Sequence, residues 1–432
     1  MTESVPGLRA TARSGPQGSG LLRRLPRLDR SRPGPQLDTT LPVMVLWVSQ
    51  FPFEHGSLGI FRSLGRAGVR VYTVVGRRCA AAASSRYVKG RILWQPQHGD
   101  SEELLLERLL EFGRRLGRRS LIICTGDEMA LFAAKHRDVL SECFILPAVD
   151  PDLPATLVDK RGLDRLCSEY GVPVPKTEFV HSKGPDVTAV VDTMDPPFVV
   201  KSSGPRGPGR QLENTVVLPD RESVFKLVRT LDEPLDLTIQ EYLPDEGAED
   251  WFTVGYCDAD AATKIVFTGR KARAWPVRGG AASAGFTAVN TQLAQRAAAF
   301  CKDVGYRGVF DMDWRRDQHT GTFKLLDFNP RPGAQFRMFE NDAGVDVVRA
   351  MHLDMSGRPI PDGTQIEGER FIIEPWELAN WMATRHGPRE DLGGTGRPRL
   401  AWVSADDPVP TLLAMASQIG LSIKARLPFR SA

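Results

Sequence analysis

The sequence predicts an α/β protein in which a parallel-sheet domain precedes a larger part of α+β character. One observation is a strand–helix–strand unit, with apolar strands at residues 42–48 and 69–75 and an amphipathic helix at 57–67 between them. Another is a pair of acidic strands, 308–315 and 325–329, separated by a short turn-forming segment. The 432 residues, 41% of them hydrophobic, are enough for two or three globular domains.

The composition argues against several functional classes. A formal net charge of +3 and a pI near 8.5 are too mild for nucleic-acid binding, and no basic stripe with interleaved aromatic residues is present. The longest apolar stretches, such as 41–48, are far shorter than the roughly 18 residues that span a bilayer. The six cysteines are scattered, without Cys-x-x-Cys spacing: Cys79, Cys124, Cys143, Cys167, Cys257 and Cys301. We therefore expect no nucleic-acid partner, membrane helix, disulfide framework or zinc site, and a reducing cytoplasm as the compartment.

Residues 1–40 form a tail rich in Gly, Pro, Ser and Arg, with few side chains able to enter a core. The tail lacks the apolar region of a secretory signal and has no sustained amphipathic period. We expect it to be disordered and passive.

The first folded domain is expected at 41–150, where strands and helices alternate as in a parallel sheet. Ser57 is the predicted N-cap of the first helix and Gly68 its C-cap, and no Gly-x-Gly-x-x-Gly follows the first strand. The later elements are predicted at 101–116 (helix), 120–124 (strand), 127–135 (helix) and 144–146 (strand). The segment Thr125–Glu128 lies at the carboxyl edge of this sheet, where ligands usually bind. Helix capping by Thr125 or Asp127 explains the same residues and is the favoured interpretation.

The acidic strands predict a metal site. Side chains alternate along a strand, so Asp327 and Asn329 share one face, as do Asp311 and Asp313 on the preceding strand. An antiparallel hairpin with its turn at 318–321 would bring these oxygen donors together, and such donors suit Mg²⁺. A surface hairpin with solvated acidic residues is the alternative. The Asn-Pro-Arg that ends the second strand favours the metal site.

The segment Asp327-Phe328-Asn329-Pro330-Arg331 resembles the metal-binding strand of the ATP-grasp superfamily, whose usual form is Glu-x-Asn-Pro-Arg. Aspartate in place of glutamate shortens the ligand by one methylene and keeps its charge. The resemblance covers roughly residues 43–355 and extends to the carboxylate–amine ligase branch. It implies an ATP-grasp fold with an N-terminal Rossmann-like pre-ATP-grasp domain, the ATP-grasp domain at 151–357 and a small C-terminal subdomain at 358–432. The metal ligands implied are Asp313, Asp327 and Asn329, with Asp311 as the alternative to Asp313.

The resemblance also implies a nucleotide site. Lys160 at a helix start would contact the phosphates, and Lys201 at a strand end would contact the phosphates or adenine. The loop 202–211 has no Walker sequence, but its glycines can expose backbone amides to phosphate; as a candidate lid it contributes Ser203, Gly204 and Gly207. Without the resemblance, this loop would be taken as a flexible surface turn.

The strand at 237–243 resembles the adenine hinge of the superfamily. Its last residues are Gln240, Glu241, Tyr242 and Leu243, and the Glu241 carbonyl and Leu243 amide would bond the base. Glu249 is the predicted partner of the ribose hydroxyls, and Asp250 is the second candidate for the same role. An acid-rich surface hairpin is the alternative interpretation.

Three cations are the predicted catalytic residues: Arg331 after the metal strand, and Lys271 and Arg273 directly after a predicted hairpin of strands 250–258 and 263–270. Lys271 and Arg273 share a face if that strand continues. Gln335 and Arg337 are candidates for binding the substrate carboxylate, because an arginine fork suits bidentate recognition.

The function implied is an ATP-dependent carboxylate–amine ligase that forms an amide or peptide bond through an acyl phosphate, with ATP and Mg²⁺ (or Mn²⁺) as cofactors. The expected substrates are small and amino-acid-like, and a homodimer is left open. The alternatives are another ATP-grasp enzyme, such as a carboxylase or phosphotransferase, and a non-catalytic ATP-binding module.

Overall fold

The protein is an α/β structure built on three β-sheets, seen in a computed structural model. The structure describes residues 34–46, 54–76, 80–184, 186–202, 216–231, 233–244, 249–275, 281–384, 393–395 and 397–426. The tail predicted to be disordered comprises residues 1–40, of which 1–33 lie outside the described ranges. For residues 34–40 the prediction is wrong: they pack against the body of the protein, because Leu37 is buried and the Gln36 carbonyl accepts a hydrogen bond from Arg358.

The N-terminal sheet has five parallel strands in the order β3-β2-β1-β4-β5. The strands are β1 Val43–Leu46, β2 Val71–Val75, β3 Val88–Leu93, β4 Ser120–Cys124 and β5 Phe144–Ile145. The helices are α1 Gly56–Arg66, α2 Glu102–Leu116, α3 Asp127–Lys135 and α4 Arg137–Leu140, with 3-10 turns at Ala82–Ser84 and Pro96–His98. Residues of β1 contribute alternately to two apolar clusters, which explains why this strand is apolar throughout. The predicted Rossmann-like domain is confirmed in its topology.

The helix starts differ from the sequence-based expectation. Helix α1 begins at Gly56 after His55, so Ser57 lies inside the helix and is not its N-cap. Helix α3 follows Gly126 with no side-chain cap, so neither Thr125 nor Asp127 caps it and the favoured capping interpretation is wrong. Both Thr125 and Asp127 instead bond residues from elsewhere in the fold.

The second sheet has four antiparallel strands in the order β6-β9-β7-β8. The strands are β6 Thr177–His181, β7 Phe198–Ser202, β8 Val216–Leu218 and β9 Asp236–Glu241. The helices of this part are α5 Leu153–Val158, α6 Lys160–Glu169, α7 Asp186–Thr193 and α8 Arg221–Thr230. An apolar cluster that includes Val191, Phe198, Val224 and Ile239 joins α7 and α8 to the sheet.

The third sheet has seven strands in the order β14-β13-β10-β11-β12-β15-β16. The strands are β10 Glu249–Cys257, β11 Thr263–Trp275, β12 Ala281–Thr287, β13 Gly308–Arg316, β14 Phe323–Asn329, β15 Arg370–Ile372 and β16 Arg399–Leu400. The helices are α9 Thr291–Asp303, α10 Val347–Met355, α11 Glu374–Thr384 and α12 Val409–Arg426, with a 3-10 turn at Phe336–Met338. All neighbours pair antiparallel except β15 and β16.

One apolar cluster connects the N-terminal sheet to the seven-stranded sheet. It includes Val43 of β1, Leu58 of α1, Phe252 of β10 and Val348 of α10. The opposite face of the seven-stranded sheet packs on α9 in a separate cluster. The two sheets are therefore fixed to each other through a shared core.

The C-terminal segment is attached to both parts. It adds β15 and β16 to the seven-stranded sheet, strands of three and two residues that are too short to recognise from their pattern. Asp407 forms a buried ion pair with Arg62 of α1 at 3.0 Å, and both side chains are 1% exposed. Arg62 also donates to the Trp402 carbonyl at 2.9 Å.

No helix in the described ranges is long and apolar enough to cross a membrane. The five described cysteines are free thiols.

A chain of ion pairs connects the four-stranded sheet to the hairpin of β13 and β14. Lys324 of β14 contacts Glu241 of β9 at 2.5 Å and Asp317 at 2.9 Å. Asp317 also accepts the amides of His319 and Thr320 in the hairpin turn. Burial alone raises the pKa of Asp317, but the Lys324 hydrogen bond and the two amides outweigh it and lower the pKa to about 2.

The Arg62→Ala variant should be destabilised by about 3–5 kcal/mol, because it leaves the Asp407 carboxylate buried without its cation. The measurement is urea unfolding at neutral pH, followed by circular dichroism. Arg115→Ala is the matched control, since its pair with Glu111 is exposed and should contribute less than about 1 kcal/mol. An equal loss of unfolding free energy in the two variants would contradict a stabilising role for the buried Arg62–Asp407 ion pair.

The Asp317→Asn variant should lose stability relative to the natural protein at neutral pH but not in acid. The folded pKa of Asp317 is depressed, so its contribution is present above the ordinary carboxyl pKa and is lost as pH falls through about 4 towards about 2. Urea unfolding of both proteins at several pH values between about 7 and 3 tests this. A stability difference that stays constant over that range would show that the carboxylate charge is not responsible.

Candidate active site

The strands β13 and β14 place four polar side chains on one face of a hairpin. Asp313 pairs directly with Asp327, and Asp311 pairs with Asn329. The alternate residues, including Met312 and Phe328, enter the apolar cluster on the other face. Side chains directly opposite each other in an antiparallel pair lie close together. The hairpin predicted from strand alternation is thus confirmed, and its turn closes with the Asp317 amide donating to the Thr322 carbonyl at 2.8 Å.

The two candidate third ligands have different surroundings. Asp311 is 4% exposed and accepts from the side-chain amide of Gln335 at 3.1 Å. A Cβ at Gly333 would lie 2.4 Å from an Asp311 oxygen, so the loop backbone presses on this carboxylate. Asp313 is less enclosed and lies opposite Asp327. The geometry therefore favours Asp313 as a ligand and Asp311 as a buried support.

The buried carboxylates on this face of the β13–β14 hairpin favour the binding of a cation. Burial and the Asp313 charge raise the pKa of Asp311 well above its usual range. Burial also raises the pKa of Asp313; Lys271 opposes this and the Asp327 charge adds to it. Two facing carboxylates and an amide oxygen are hard donors that fit Mg²⁺. No three His, Cys, Asp or Glu side chains of the described residues form a metal-binding group, so Asn329 and phosphate oxygens would have to complete the coordination.

Lys160 reaches this site from the start of α6. Its ammonium contacts Asp327 Oδ1 at 2.6 Å and the Leu326 carbonyl at 3.2 Å. Asp159 caps the helix by accepting the Gly162 amide at 2.8 Å, which fixes the position of Lys160. The lysine predicted at the phosphates thus lies beside a predicted metal ligand.

Arg331 is held by three acceptors. Its Nε donates to Asp127 Oδ1 at 2.8 Å, Nη2 to Asn329 Oδ1 at 2.9 Å and Nη1 to the Pro332 carbonyl at 3.3 Å. Burial lowers the pKa of Arg331, but the charges of Asp127 and Asp311 outweigh it and raise the pKa. The guanidinium is therefore a fixed positive charge beside the acidic face.

Lys271 and Arg273 have different partners. The strand β11 continues through both, but its pairing with β12 shifts on each side of Arg273, so simple alternation does not describe this segment. The Lys271 charge lowers the pKa of Asp313, which places Lys271 within electrostatic reach of the acidic face of the hairpin. Arg273 forms an ion pair with Glu377 of α11, with Nε 2.8 Å from the carboxylate.

The nucleotide residues surround the end of β9. Lys201 Nζ donates to Gln240 Oε1 at 3.1 Å, and the Tyr242 amide donates to the Pro197 carbonyl at 3.2 Å. The Leu243 amide makes no hydrogen bond within the described part of the chain, whereas the Leu243 carbonyl accepts from Arg315. The lid residues Ser203, Gly204 and Gly207 lie outside the described residues.

The Glu241 side chain has a structural contact that sequence reasoning missed. Its carboxylate accepts the Lys176 amide at 2.8 Å and the Lys324 ammonium at 2.5 Å. These bonds anchor the hinge strand between neighbouring elements, as does the Glu241 amide, which donates to the Lys176 carbonyl at 2.9 Å. The Leu243 amide stays available to a nucleobase.

The two candidate ribose acids lie on opposite faces of β10. In the pairing of β10 with β13, Asp250 lies opposite Arg315 and Phe252 lies opposite Asp313. The Asp250 side chain is therefore on the same face of the sheet as Asp313. Glu249 is on the other face and accepts from the Trp251 indole at 3.1 Å. The orientation favours Asp250 over the first choice, Glu249, although Arg315 already engages Asp250 through two bonds of 2.6 and 2.8 Å.

Of the two predicted carboxylate-binding residues, one lies at the acidic face. Gln335 contacts Asp311 there. Arg337 packs against Gly59 of α1 and donates to the Leu400 carbonyl of β16. Arg337 therefore contacts α1 and β16, and its position in the sequence does not reveal these contacts.

Glu54 is a further candidate site residue, which sequence reasoning missed. Its Oε1 accepts the Ser57 amide at 3.0 Å, while its Oε2 is buried and has no hydrogen-bond partner among the described residues. Burial raises the pKa of Glu54, and the nearby Arg331 charge opposes that rise. An acid directly before a helix carries no distinctive sequence signal, so only the fold identifies it.

Comparisons with known proteins agree with this architecture. No family model matches the chain. A segment of 254 aligned residues is 24% identical to D-aspartate ligase of Enterococcus faecium, covering 54% of this chain and 59% of that ligase, so it spans less than two thirds of the relative.

Two solved structures share the fold. N5-carboxyaminoimidazole synthetase from Staphylococcus aureus, solved with ADP, has a TM-score of 0.58 at 13% identity and covers 81% of this chain and 87% of its own. L-amino acid ligase from Bacillus licheniformis has a TM-score of 0.54 at 13% identity, with coverages of 76% and 75%. The chain therefore has the ATP-grasp fold, preceded by a Rossmann-like domain.

Proposed function

We propose that this protein is an ATP-dependent carboxylate–amine ligase that forms an amide bond and releases ADP and phosphate. The observation that carries the proposal is the pairing of Asp313 with Asp327 beside Asn329 and Arg331. It combines hard oxygen donors with a fixed cation at one point, as transfer of a phosphoryl group requires. The similarity to D-aspartate ligase supports an amine as the second substrate.

The nucleotide would bind between the hinge strand and the metal face. We assign the adenine to the Glu241 carbonyl and the Leu243 amide, with Gln240 and Tyr242 beside them, and the ribose to Asp250 or Glu249. Lys160 and Lys201 would contact the phosphates. The lid residues Ser203, Gly204 and Gly207 keep this role as a prediction from the sequence.

Mg²⁺ would be held by Asp313, Asp327 and Asn329, and it would neutralise phosphate charge. Lys160 forms an ion pair with Asp327 and so supplies positive charge beside the proposed metal ligands. Arg331 and Lys271 would offset the negative charge that develops during transfer. Arg273 is a weaker catalytic candidate, because Glu377 already neutralises its charge.

In the first step, a carboxylate oxygen of the substrate forms a bond to the γ-phosphorus of ATP, and the bond to ADP breaks. In the second, the amine nitrogen forms a bond to the acyl carbon, phosphate leaves with the bonding electron pair, and the nitrogen loses a proton. No covalent bond to the enzyme is needed, so the chain's contribution is positioning and charge.

The substrates would be amino-acid-like. The unpartnered Oε2 of Glu54 suits an ammonium group, and Arg331 lies within electrostatic reach of the same carboxylate. Of the two residues predicted to bind the substrate carboxylate, Gln335 is the better placed, because it lies at Asp311. Arg337 would need to break its hydrogen bond to the Leu400 carbonyl to bind the substrate.

The test is ADP release from MgATP with a panel of amino acids, singly and in pairs, with hydroxylamine present to trap an acyl phosphate. We expect carboxylate-dependent hydroxamate, and a fall of about 100-fold in the Asn329→Ala variant because a ligand oxygen and an Arg331 partner are removed together. Gln292→Ala, exposed on α9, is the control and should keep full activity.

The other outcomes distinguish the alternatives. ADP release that needs bicarbonate, or a stable phosphorylated product without any amine, would indicate a different ATP-grasp enzyme. ATP binding with no carboxylate-dependent ADP release would contradict the ligase and leave a nucleotide-binding module.

A further inference from the structure

The carboxyl edge of the N-terminal sheet contributes a side chain to the acidic face of the seven-stranded sheet. Asp127 is the first residue of α3, directly after β4 and Gly126. It caps no helix, and its Oδ1 accepts from Arg331 Nε at 2.8 Å. The two residues are 204 positions apart in the sequence.

The three acceptors around Arg331 are not equivalent. Asn329 and Pro332 belong to the same strand end and loop as the arginine, so they move with it. Asp127 is the acceptor that comes from the N-terminal domain, where it begins α3. Without Asp127, the remaining two of these three hydrogen bonds would hold the guanidinium only to its own strand end and loop.

The charge of Asp127 also matters to the arginine. It is the largest of the influences that raise the pKa of Arg331, against a burial effect that lowers it. The pair is half-enclosed, with Arg331 20% and Asp127 36% exposed, so the bond is less screened than one on the surface.

We propose that Asp127 is a positioning residue for Arg331: the N-terminal domain aims the guanidinium at the reacting phosphate through this ion pair. The inference rests on the proposed ligase function. It gives the N-terminal domain a part in the chemistry that is independent of any contact with a substrate.

The first test compares Asp127→Asn with Asp127→Glu and the natural enzyme. We expect kcat to fall about 10- to 100-fold in Asp127→Asn while KM for ATP stays unchanged, because a misaimed group costs rate and leaves nucleotide binding intact. Asp127→Glu keeps the charge and should recover part of the loss. Asp138→Asn, whose side chain is 98% exposed on α4, is the matched control and should behave as the natural enzyme.

A double-mutant cycle with Arg331→Ala separates positioning from a general structural effect. If Asp127 acts through Arg331, Asp127→Asn should cost little further activity in the Arg331→Ala background. Equal fold-losses in both backgrounds, or an unchanged kcat in Asp127→Asn, would overturn the inference.

A measurement without turnover keeps the inference testable if no substrate is found. The Nε–H proton of Arg331, assigned by its absence in Arg331→Lys, should exchange slowly in ¹⁵N spectra of the natural protein and rapidly in Asp127→Asn. Unchanged exchange would overturn the proposed contact whatever the enzyme catalyses. Slow exchange in an enzyme that activates no carboxylate would contradict only the proposed ligase function.

Discussion

The register of the β13–β14 hairpin is the constraint on which the rest of the site depends. A slip of β14 by one residue against β13 would turn Asp327 and Asn329 into the apolar cluster and bring Phe328 to the acidic face. The apolar face thus selects the pairing that places the acids together. Core packing and site geometry are two results of the same alternation.

This arrangement concentrates negative charge, and three cations lie beside it. Lys160 comes from α6, Lys271 from β11, and Arg331 from the end of β14 itself. The three cations therefore come from three different elements, and Arg331 is bonded to Asn329 of its own strand. Charges of both signs are therefore already placed next to each other at this face.

Sequence reasoning succeeded where the controlling interactions are local. Strand alternation and a short turn were enough to predict a hairpin that brings Asp313 or Asp311 beside Asp327 and Asn329, whereas the register that pairs Asp313 with Asp327 comes from the structure. The parallel topology followed from an apolar strand–helix–strand pattern. It failed where two distant segments meet. Asp127 was read as a helix cap because its partner Arg331 lies 204 residues away, and the irregular pairing at Arg273 leaves no signature in a strand of ordinary composition.

The contact between Gly333 and Asp311 has an evolutionary consequence. A Cβ at position 333 would lie 2.4 Å from the Asp311 carboxylate, closer than non-bonded atoms approach. The two positions are thus not independent: a descendant chain with a larger residue at 333 would first need a smaller one at 311. Any such exchange would remove the buried acid beneath Asn329 and Gln335, so a chain that keeps the aspartate should also keep the glycine.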